Sequence, residues 1–471
     1  MKRRAQHALA AILPALLFAA SSPAQTPCGG ATPCVCGQIV LRLQPGETIE
    51  GVNSSYGATV LRSIPARRTF LLGLGPQANA PAIATAMSGD ARIAWAEPNF
   101  IQLAPGGGTQ SFFLSSTAQQ YTTQYATTRL DLAAAHAIST GTSVTIAVLD
   151  SGLDAQHPLF AGRIAPGGFN FVANSPDFSD VGNGLDDDGD GLIDEMTGHG
   201  TFVAGLSVLA SPGARILPLK VLNSDGVGTA FHLAQAIDAA SASGASVINI
   251  SLGSTIPSRS VLEAVNSALA QDHLVVAAAG NSNRQDPPLY PAAWDGVIGV
   301  AATDENDLKA GFSDYGPYIA VSAPGAGMVG PFPGGLYSSA SGTSFAAPLV
   351  SGTAALARAL APGATRTTVA ALLGHTSTDI STLNPSHAGL LGAGRIHAGA
   401  AAAAASAPAP CYANCDGSTS APVLNVADFS CFLQRYAAGD PWTNCDQSTT
   451  APVLNVQDFG CFLAGYAAGC P

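Results

Sequence analysis

The chain has 471 residues, of which 11% are charged and 47% are hydrophobic, and its formal net charge is −12. That length allows one large domain with smaller appendages. The acidic balance argues against a nucleic-acid partner, and the hydrophobic fraction argues against a largely disordered chain.

Residues 1–24 are predicted to be a secretory signal peptide. Lys2-Arg3-Arg4 precede an apolar run that ends at Phe18, and Ser22-Pro23-Ala24 supplies small residues for cleavage. This run is too short to span a bilayer, and no later stretch is long and apolar enough. We therefore expect an extracellular protein without a membrane span.

The 9 cysteines lie only at the two ends of the chain. Three are N-terminal and six are C-terminal: Cys28, Cys34, Cys36, Cys411, Cys415, Cys431, Cys445, Cys461 and Cys470. Between them, residues 37–410 have none. This distribution predicts a central part that folds without crosslinks and a small tail that needs them in an oxidising compartment. The pairing of the three N-terminal cysteines stays open.

A small α+β domain is predicted over residues 37–103. Strands are expected at 39–43 and 92–96, with a helix at 80–87 between them. The Gly/Ser/Gln-rich segment 104–119 follows, and we expect it to be an exposed linker that is easily cut.

The main domain is predicted over residues 120–403, with apolar strands alternating with helices. The expected strands are 144–149, 216–221, 246–250, 274–279 and 297–301, and the expected helices are 199–210, 230–243, 259–271 and 344–360. This alternation is typical of an α/β fold with a doubly wound, mostly parallel sheet that binds ligands at the carboxyl ends of its strands. Residues 404–410, rich in Ala and Pro, are predicted to be a second linker.

Four residues in this domain could together form a site for nucleophilic catalysis. Ser344 lies among small residues at a helix start, where free N–H groups could stabilise an oxyanion. Asp150 follows a strand, His199 stands between two glycines at a helix start, and Asn281 follows another strand. Each alone could be an ordinary cap, turn or loop residue. Together, in this order and on this fold, they indicate a catalytic site.

These segments make the sequence similar to the subtilisin-like serine proteases, or subtilases, over about residues 38–403. The resemblance implies a serine endopeptidase acting on polypeptides, with Ser344 as nucleophile, His199 as general base, Asp150 orienting the histidine and Asn281 donating to the oxyanion. It implies no cofactor for catalysis. Phe202 departs from the family, whose members commonly have a second histidine there.

The family resemblance extends to a propeptide and a substrate groove. Residues 95–100, Trp-Ala-Glu-Pro-Asn-Phe, resemble the end of a subtilase propeptide, which would chaperone folding, inhibit the enzyme and be removed on maturation. Two segments match those that line the groove: Ser251-Leu252-Gly253 and Ala278-Ala279-Gly280. Their small residues would allow backbone pairing with an extended peptide.

An acidic loop precedes the histidine. Asp186, Asp188, Asp190 and Asp194 resemble the first half of an EF-hand loop, although the twelfth position holds Thr197 instead of glutamate. The spacing predicts a structural calcium site; a solvated acidic loop is the alternative.

The tail, residues 411–471, is an internal repeat similar to dockerin-like modules, whose loops bind calcium and which dock to an extracellular partner. The resemblance gives these calcium ligands: Asn414, Asp416, Ser418, Asn425, Asp428, Asn444, Asp446, Ser448, Asn455 and Asp458. Each loop has three additional residues, which leaves the ligand assignment open. Repeat symmetry suggests the disulfides Cys415–Cys431, Cys445–Cys461 and Cys411–Cys470, among 15 possible connectivities.

Other functions fit the sequence less well. An α/β-hydrolase would need Gly-x-Ser-x-Gly, but Ala346 stands two residues after Ser344. A zinc protease would need His-Glu-x-x-His, which the sequence does not contain. An inactive scaffold that binds through its tail is the remaining alternative, and all four intact site residues argue against it. We expect a monomer.

Overall fold

The computed structural model describes residues 33–105, 112–406, 415, 424–440, 443 and 455–468. Several predictions therefore fall outside the described residues, namely the signal peptide, the linker residues 407–410, the tail ligands Asn414, Asp416, Ser418, Asn444, Asp446 and Ser448, and the cysteines Cys28, Cys411, Cys445 and Cys470. No helix among the described residues is long and apolar enough to cross a membrane.

The N-terminal domain is an antiparallel sheet packed against two helices. Its elements are β1 (Cys34–Leu43), α1 (Ile49–Tyr56), β2 (Thr59–Ile64), β3 (Thr69–Gly73), α2 (Ala80–Met87) and β4 (Ile93–Leu103). The strands are ordered β2-β3-β1-β4, and their inward residues Ile39, Leu41 and Leu72 bury a core with Val52 and Met87 from the helices. The predicted helix has the observed bounds, whereas α1, β2 and β3 were missed, and β4 continues well beyond the predicted strand.

The main domain is built on a seven-stranded sheet. In chain order its elements, including those of its N-terminal segment and of smaller sheets, are β5 (Phe113–Ser116), α3 (Ala118–Thr123), α4 (Tyr125–Arg129), α5 (Leu132–Ile138), β6 (Thr145–Asp150), β7 (Phe169–Asn170), α6 (His199–Ala210), β8 (Arg215–Lys220), β9 (Val227–Thr229), α7 (Ala230–Ala242), β10 (Val247–Ile250), α8 (Arg259–Ala270), β11 (Leu274–Ala278), β12 (Ile298–Thr303), β13 (Ile319–Pro324), β14 (Met328–Phe332), β15 (Leu336–Ala340), α9 (Thr343–Leu360), α10 (Arg366–His375) and α11 (Ala398–Ser406). The sheet order is β13-β12-β11-β10-β6-β8-β7, and every neighbouring pair is parallel.

Both faces of this sheet are covered, which confirms the predicted parallel α/β fold. Alternate residues of β6 point to opposite sides: Ile146 and Val148 pack in the core with α6 and α9, whereas Ala147 and Leu149 pack in the core with α7 and α8. Because β10 and β8 lie on either side of β6, the chain reverses its winding direction there. Such a switch point opens a crevice at the carboxyl ends of the strands.

Two predicted linkers contain regular structure. In segment 104–119, β5 pairs with β15 in a small antiparallel sheet of order β14-β15-β5, and α3 begins at Ala118. In segment 404–410, α11 continues to Ser406. Local sequence gave no signal for β5 because its partner strand is distant along the chain. In α11 the alanines allow close packing against the main domain, where Ala401 and Ala402 are buried.

The described part of the tail contains α12 (Val426–Ala437) and α13 (Val456–Ala468). The rings of Phe432 and Phe462, which are equivalent in the two repeats, stack with their centroids 4.1 Å apart. The disulfide Cys415–Cys431 is present, as repeat symmetry suggests. Cys461 is also disulfide-bonded.

Candidate active site

Asp150 and His199 form a buried pair at the carboxyl edge of the sheet. Asp150 is the last residue of β6 and His199 is the first of α6, and their side chains are 1% and 0% exposed. The imidazole Nδ1 lies 2.6 Å from Oδ1 of the carboxylate. When Nδ1–H donates to this oxygen, Nε2 carries the lone pair, and it has no hydrogen-bond partner among the described residues. The histidine is thus held in the tautomer that can accept a proton.

Asp180, which the sequence reasoning missed, holds the segments of Asp150 and His199 together. One carboxylate oxygen accepts from the Ser151 hydroxyl and from the N–H of Gly198, both at 3.0 Å. The other accepts from the N–H and the hydroxyl of Thr201 at 3.0 and 2.6 Å. A β-carbon on Gly198 would lie 2.4 Å from the Phe332 ring, so only glycine fits between the carboxylate and that ring.

Ser344 is the second residue of α9 and is fully buried. Its hydroxyl donates to the carbonyl of Ser251 at 3.3 Å, and the Ser251 hydroxyl donates to the carbonyl of Ser344 at 2.9 Å. That second bond satisfies a group that the helix cannot, because Pro348, four residues on, has no N–H to donate. The next residue, Phe345, packs against His199, with its ring centroid 5.5 Å from that of the imidazole.

Asn281 follows β11, and its amide is oriented by Thr343. The Asn281 carbonyl oxygen accepts from the N–H and the hydroxyl of Thr343 at 2.9 and 2.8 Å. Both bonds require an acceptor, so the amide nitrogen faces the other way, where it donates to the backbone carbonyl of Pro105 at 2.8 Å. The amide that the sequence singled out therefore donates to a peptide carbonyl and is oriented by Thr343, the residue before Ser344.

The end of the N-terminal domain lies in the groove beside this amide. Leu103 and Gly253 exchange two backbone hydrogen bonds of 2.9 Å, and the N–H of Ala104 donates to the carbonyl of Gly226 at 3.0 Å. On its other side β4 pairs with β9, from Ile101 opposite Thr229 to Leu103 opposite Val227. The groove therefore has a second wall, β9, which the sequence reasoning did not identify although Gly226 and Gly228 mark it.

The predicted groove residues differ in position. Gly253 pairs with Leu103 at the end of β4, and the Ser251 hydroxyl donates to the Ser344 carbonyl. Gly280 donates its N–H to the Thr343 hydroxyl at 3.1 Å. Three others, Leu252, Ala278 and Ala279, are buried in the hydrophobic core. They fix the backbone beneath the groove, and their contact with substrate stays a prediction.

The acidic loop brings three of its four predicted ligands together. One carboxylate oxygen from each of Asp186, Asp188 and Asp190 lies within 4.8 Å of the others. Burial and the charges of Asp190 and Asp186 raise the pKa of Asp188. Asp194 is engaged elsewhere, because its carboxylate accepts from the N–H of Asn183 at 2.7 Å.

Glu195 adds a further carboxylate to this loop. Both of its oxygens are buried without a partner among the described residues. Burial, reinforced by Asp225, Asp188 and Asp190, raises its pKa to about 7. Clustered carboxylates with an unpaired neighbour fit a hard cation such as calcium, which takes oxygen ligands. Glu195 was missed because it stands outside the EF-hand spacing.

In the tail, the described candidate ligands cap helices. Asn425 and Asp428 form a capping box at the start of α12, with the Asp428 carboxylate accepting from the Asn425 N–H at 2.8 Å. Asp458 accepts from the N–H of Asn455 at 2.8 Å in the same way. Calcium binding by these residues stays a prediction.

The N-terminal domain docks on α7 and α8 through polar contacts that are mostly part-buried. The Arg67 guanidinium donates to Asp238 at 2.6 Å, and Trp95 Nε1 donates to Glu263 at 2.8 Å. Glu97 accepts from the backbone N–H groups of Arg259 and Ser260 at 2.7 and 3.0 Å. That carboxylate interacts favourably with the positive end of the α8 dipole.

Comparison with known proteins supports the assignment of both domains. Residues 141–394 match the family described as the subtilase family, and residues 25–99 match the fervidolysin N-terminal prodomain. Thermitase of Thermoactinomyces vulgaris is 39% identical over 233 residues, which are 50% of this chain and 81% of thermitase. Subtilisin BL of Lederbergia lenta is 38% identical over 271 residues, which are 56% of this chain and 91% of that protein.

Solved structures show the same fold. A protease from Pseudoalteromonas arctica superposes with a TM-score of 0.54 at 29% identity, covering 59% of this chain and 94% of that one. Fervidolysin from Fervidobacterium pennivorans, described as a keratinolytic enzyme related to subtilisin, superposes with a TM-score of 0.63 at 22% identity. That match covers 79% of this chain and 61% of fervidolysin.

Proposed function

The chain belongs to the subtilase family and is a subtilisin-like serine endopeptidase with a prodomain, and from this membership we propose that Asp150, His199 and Ser344 form its catalytic triad. The observation that carries the proposal is the buried Asp150–His199 hydrogen bond of 2.6 Å, with the imidazole centroid 5.5 Å from the ring of Phe345, the residue after Ser344. Chain order and fold agree with it, because this order distinguishes subtilases from other triad enzymes.

In the proposed mechanism the Ser344 hydroxyl attacks the scissile carbonyl and passes its proton to Nε2 of His199. Asp150 keeps Nδ1 protonated and stabilises the imidazolium that forms. The same proton is then given to the leaving amine. Rotation of the Ser344 hydroxyl from the Ser251 carbonyl towards Nε2 is required, and such bonds commonly tighten only when substrate binds.

Asn281 is proposed as the oxyanion donor. Its amide nitrogen already donates to a peptide carbonyl at 2.8 Å, and Thr343 fixes its direction, so no reorientation is needed as charge develops. The N–H of Ser344 at the start of α9 would supply a second donor.

The prodomain is proposed to inhibit the enzyme until it is removed. It fills the groove with its last strand and is anchored at a distance by Arg67 and Glu97. This arrangement would keep the protein inactive during secretion. The signal sequence and the crosslinked tail support an extracellular location, where the tail would dock to a partner.

Calcium is proposed at Asp186, Asp188 and Asp190, with Glu195 as a further ligand. A bound cation would neutralise carboxylates that otherwise repel one another and would stabilise the loop that leads to His199. Its part is structural, and the chemistry proceeds through the protein's own side chains.

A fluorophosphonate probe tests the catalytic proposal, because it reacts covalently with activated serine nucleophiles. We expect the processed protein to be labelled and Ser344→Ala to be unlabelled. The buried Ser351→Ala on the same helix is the matched control and should be labelled. Absence of labelling in the processed wild type would favour a binding scaffold, and labelling of Ser344→Ala would exclude Ser344 as the nucleophile.

A further inference from the structure

The segment Ile101–Pro105 occupies the groove as an extended peptide would. It lies between two backbone partners, with β9 on one side and Gly253 on the other. Its side chains are buried except at one position: Leu103 is 43% exposed, whereas Ile101, Gln102, Ala104 and Pro105 are buried. The chain has thus placed one of its own segments where the family's substrates would pair.

The register of this segment identifies one carbonyl at the catalytic centre. Leu103 is paired with Gly253, Ala104 donates to Gly226, and the next carbonyl, that of Pro105, accepts from Asn281. Asn281 is bonded to Thr343, which directly precedes Ser344. The carbonyl carbon of Pro105 is therefore the electrophile nearest to the oxyanion donor in this register.

The chain beyond the groove is held by the main domain. β5 pairs with β15, and the Phe112 ring packs against Phe202, Phe332 and Phe345 with centroids 5.9, 5.5 and 6.4 Å away. A cut between Pro105 and Phe112 would release the prodomain strand and leave β5 in place. A cut near residue 119, at the far end of the predicted linker, would detach β5 from its sheet.

We propose that Ser344 cleaves the chain on the carboxyl side of Pro105, so that the mature enzyme begins at Gly106 and accepts proline immediately before the cut. This inference rests on the proposed function. Ser344 Oγ bonds to the Pro105 carbonyl carbon and its proton moves to His199 Nε2. The C–N bond to residue 106 then breaks, and that proton goes to the new amine. Water hydrolyses the ester, which leaves a Pro105 carboxylate and restores the serine.

Intact mass and N-terminal sequencing of the full-length protein test this assignment. We expect wild type to yield a chain that begins at Gly106, and Ser344→Ala to stay uncut. In Pro105→Lys the buried position would receive an unpaired charge, so cleavage after this residue should slow about tenfold or more. Leu114→Lys is the matched control: Leu114 is 58% exposed in β5, and its cleavage should resemble that of wild type.

A peptide assay gives a second readout that does not depend on folding of the variants. Processed enzyme should release aminomethylcoumarin from acyl-Ile-Gln-Leu-Ala-Pro-aminomethylcoumarin at least about tenfold faster than from the peptide ending in Lys, which places a charge at the buried position. A slower rate with the proline peptide would overturn the assignment.

The outcomes separate this inference from the proposed function. If wild type is cut only at another bond while Ser344→Ala is intact, the Pro105 assignment is wrong and the triad stands. If neither protein is cut but the probe labels Ser344, the assignment is again wrong. If Ser344→Ala is cut as wild type is, self-processing is wrong. If neither is cut, and the wild type is still unlabelled after an added protease has removed its prodomain, the proposed function itself is wrong.

Discussion

Ser251 and Ser344 hold each other by reciprocal hydrogen bonds, each hydroxyl donating to the other residue's carbonyl. The bond from Ser251 exists because Pro348 cannot donate to the Ser344 carbonyl. In a Ser344→Ala background, Ser251→Ala should lower the free energy of unfolding by about 1–3 kcal/mol, since it leaves a buried carbonyl unpaired.

A double-mutant cycle isolates that effect. Pro348→Ala restores a backbone N–H four residues after the Ser344 position, so Ser251→Ala should be less destabilising in its presence. Urea unfolding of the four proteins measures the coupling. If Ser251→Ala lowers the free energy of unfolding equally with Pro348 and with Ala at position 348, the carbonyl of residue 344 must accept from another donor.

Thr343 should affect turnover through Asn281. Thr343→Val keeps one of the two hydrogen bonds to the Asn281 carbonyl and removes the other, so we expect kcat to fall about tenfold with little change in KM. Asn281→Leu should lower kcat by about 10²–10³-fold, the loss known for the matching asparagine of subtilisin. The control is Thr353→Val, a buried threonine on the same helix that should leave kcat unchanged. A change confined to KM would contradict an orienting role for Thr343.

Acid should loosen the prodomain through His232. Burial and the charge of Arg62 lower the pKa of His232 to about 3. Arg62 belongs to the prodomain, and it also donates across the interface to the backbone carbonyl of Val172 in the main domain. The prodomain also covers the chain next to His232, where Asn99 accepts from the Phe231 N–H, so its departure should relieve part of the burial as well as remove the Arg62 charge, and we expect this pKa to rise towards its usual 6.5. The complex therefore binds fewer protons than its separated parts. The contribution of neutral His232 to the stability of the complex is complete above about pH 6.5 and is lost as the pH falls towards 3.

We expect the cleaved prodomain to dissociate faster at about pH 5 than at about pH 8. Size-exclusion chromatography of the processed protein measures the fraction that remains bound. His232→Gln should weaken this pH dependence, whereas His136→Gln, which removes a half-buried histidine outside the interface, should not. The same pH dependence in His232→Gln would rule out this histidine as the cause.

Calcium should raise the melting temperature of the Ser344→Ala protein. A calcium concentration about 100 times the dissociation constant stabilises a protein by about 2.7 kcal/mol. Asp190→Asn should abolish most of the shift because it removes a charged ligand. Asp177→Asn, at an exposed carboxylate bonded to Ser179, serves as the control. A shift of equal size in Asp190→Asn would place calcium elsewhere.

The central elements could be predicted from sequence because their patterns are local. β6 and β10 are short apolar runs, and α6 and α9 begin at the predicted positions to within one residue. The proximity of Asp150 and His199 could be predicted from these bounds, because a strand end and a helix start in this fold meet at one edge of the sheet. Their hydrogen bond therefore follows from the local pattern together with the resemblance to the subtilases.

The remaining features depend on partners that are remote along the chain. β4 extends to Leu103 only because β9 and Gly253 pair with it, and β5 forms only against β15. Asp180 and Glu195 resemble ordinary loop acids until folding buries them beside particular donors or acceptors. No periodicity or spacing reports such contacts.

The seating of Ile101–Pro105 in its own groove also determines how maturation depends on concentration. Enzyme and substrate are one molecule, so their encounter does not require diffusion. Processing should then follow first-order kinetics, with a half-time that is the same in dilute and in concentrated solution. A newly exported molecule could mature without meeting a second copy.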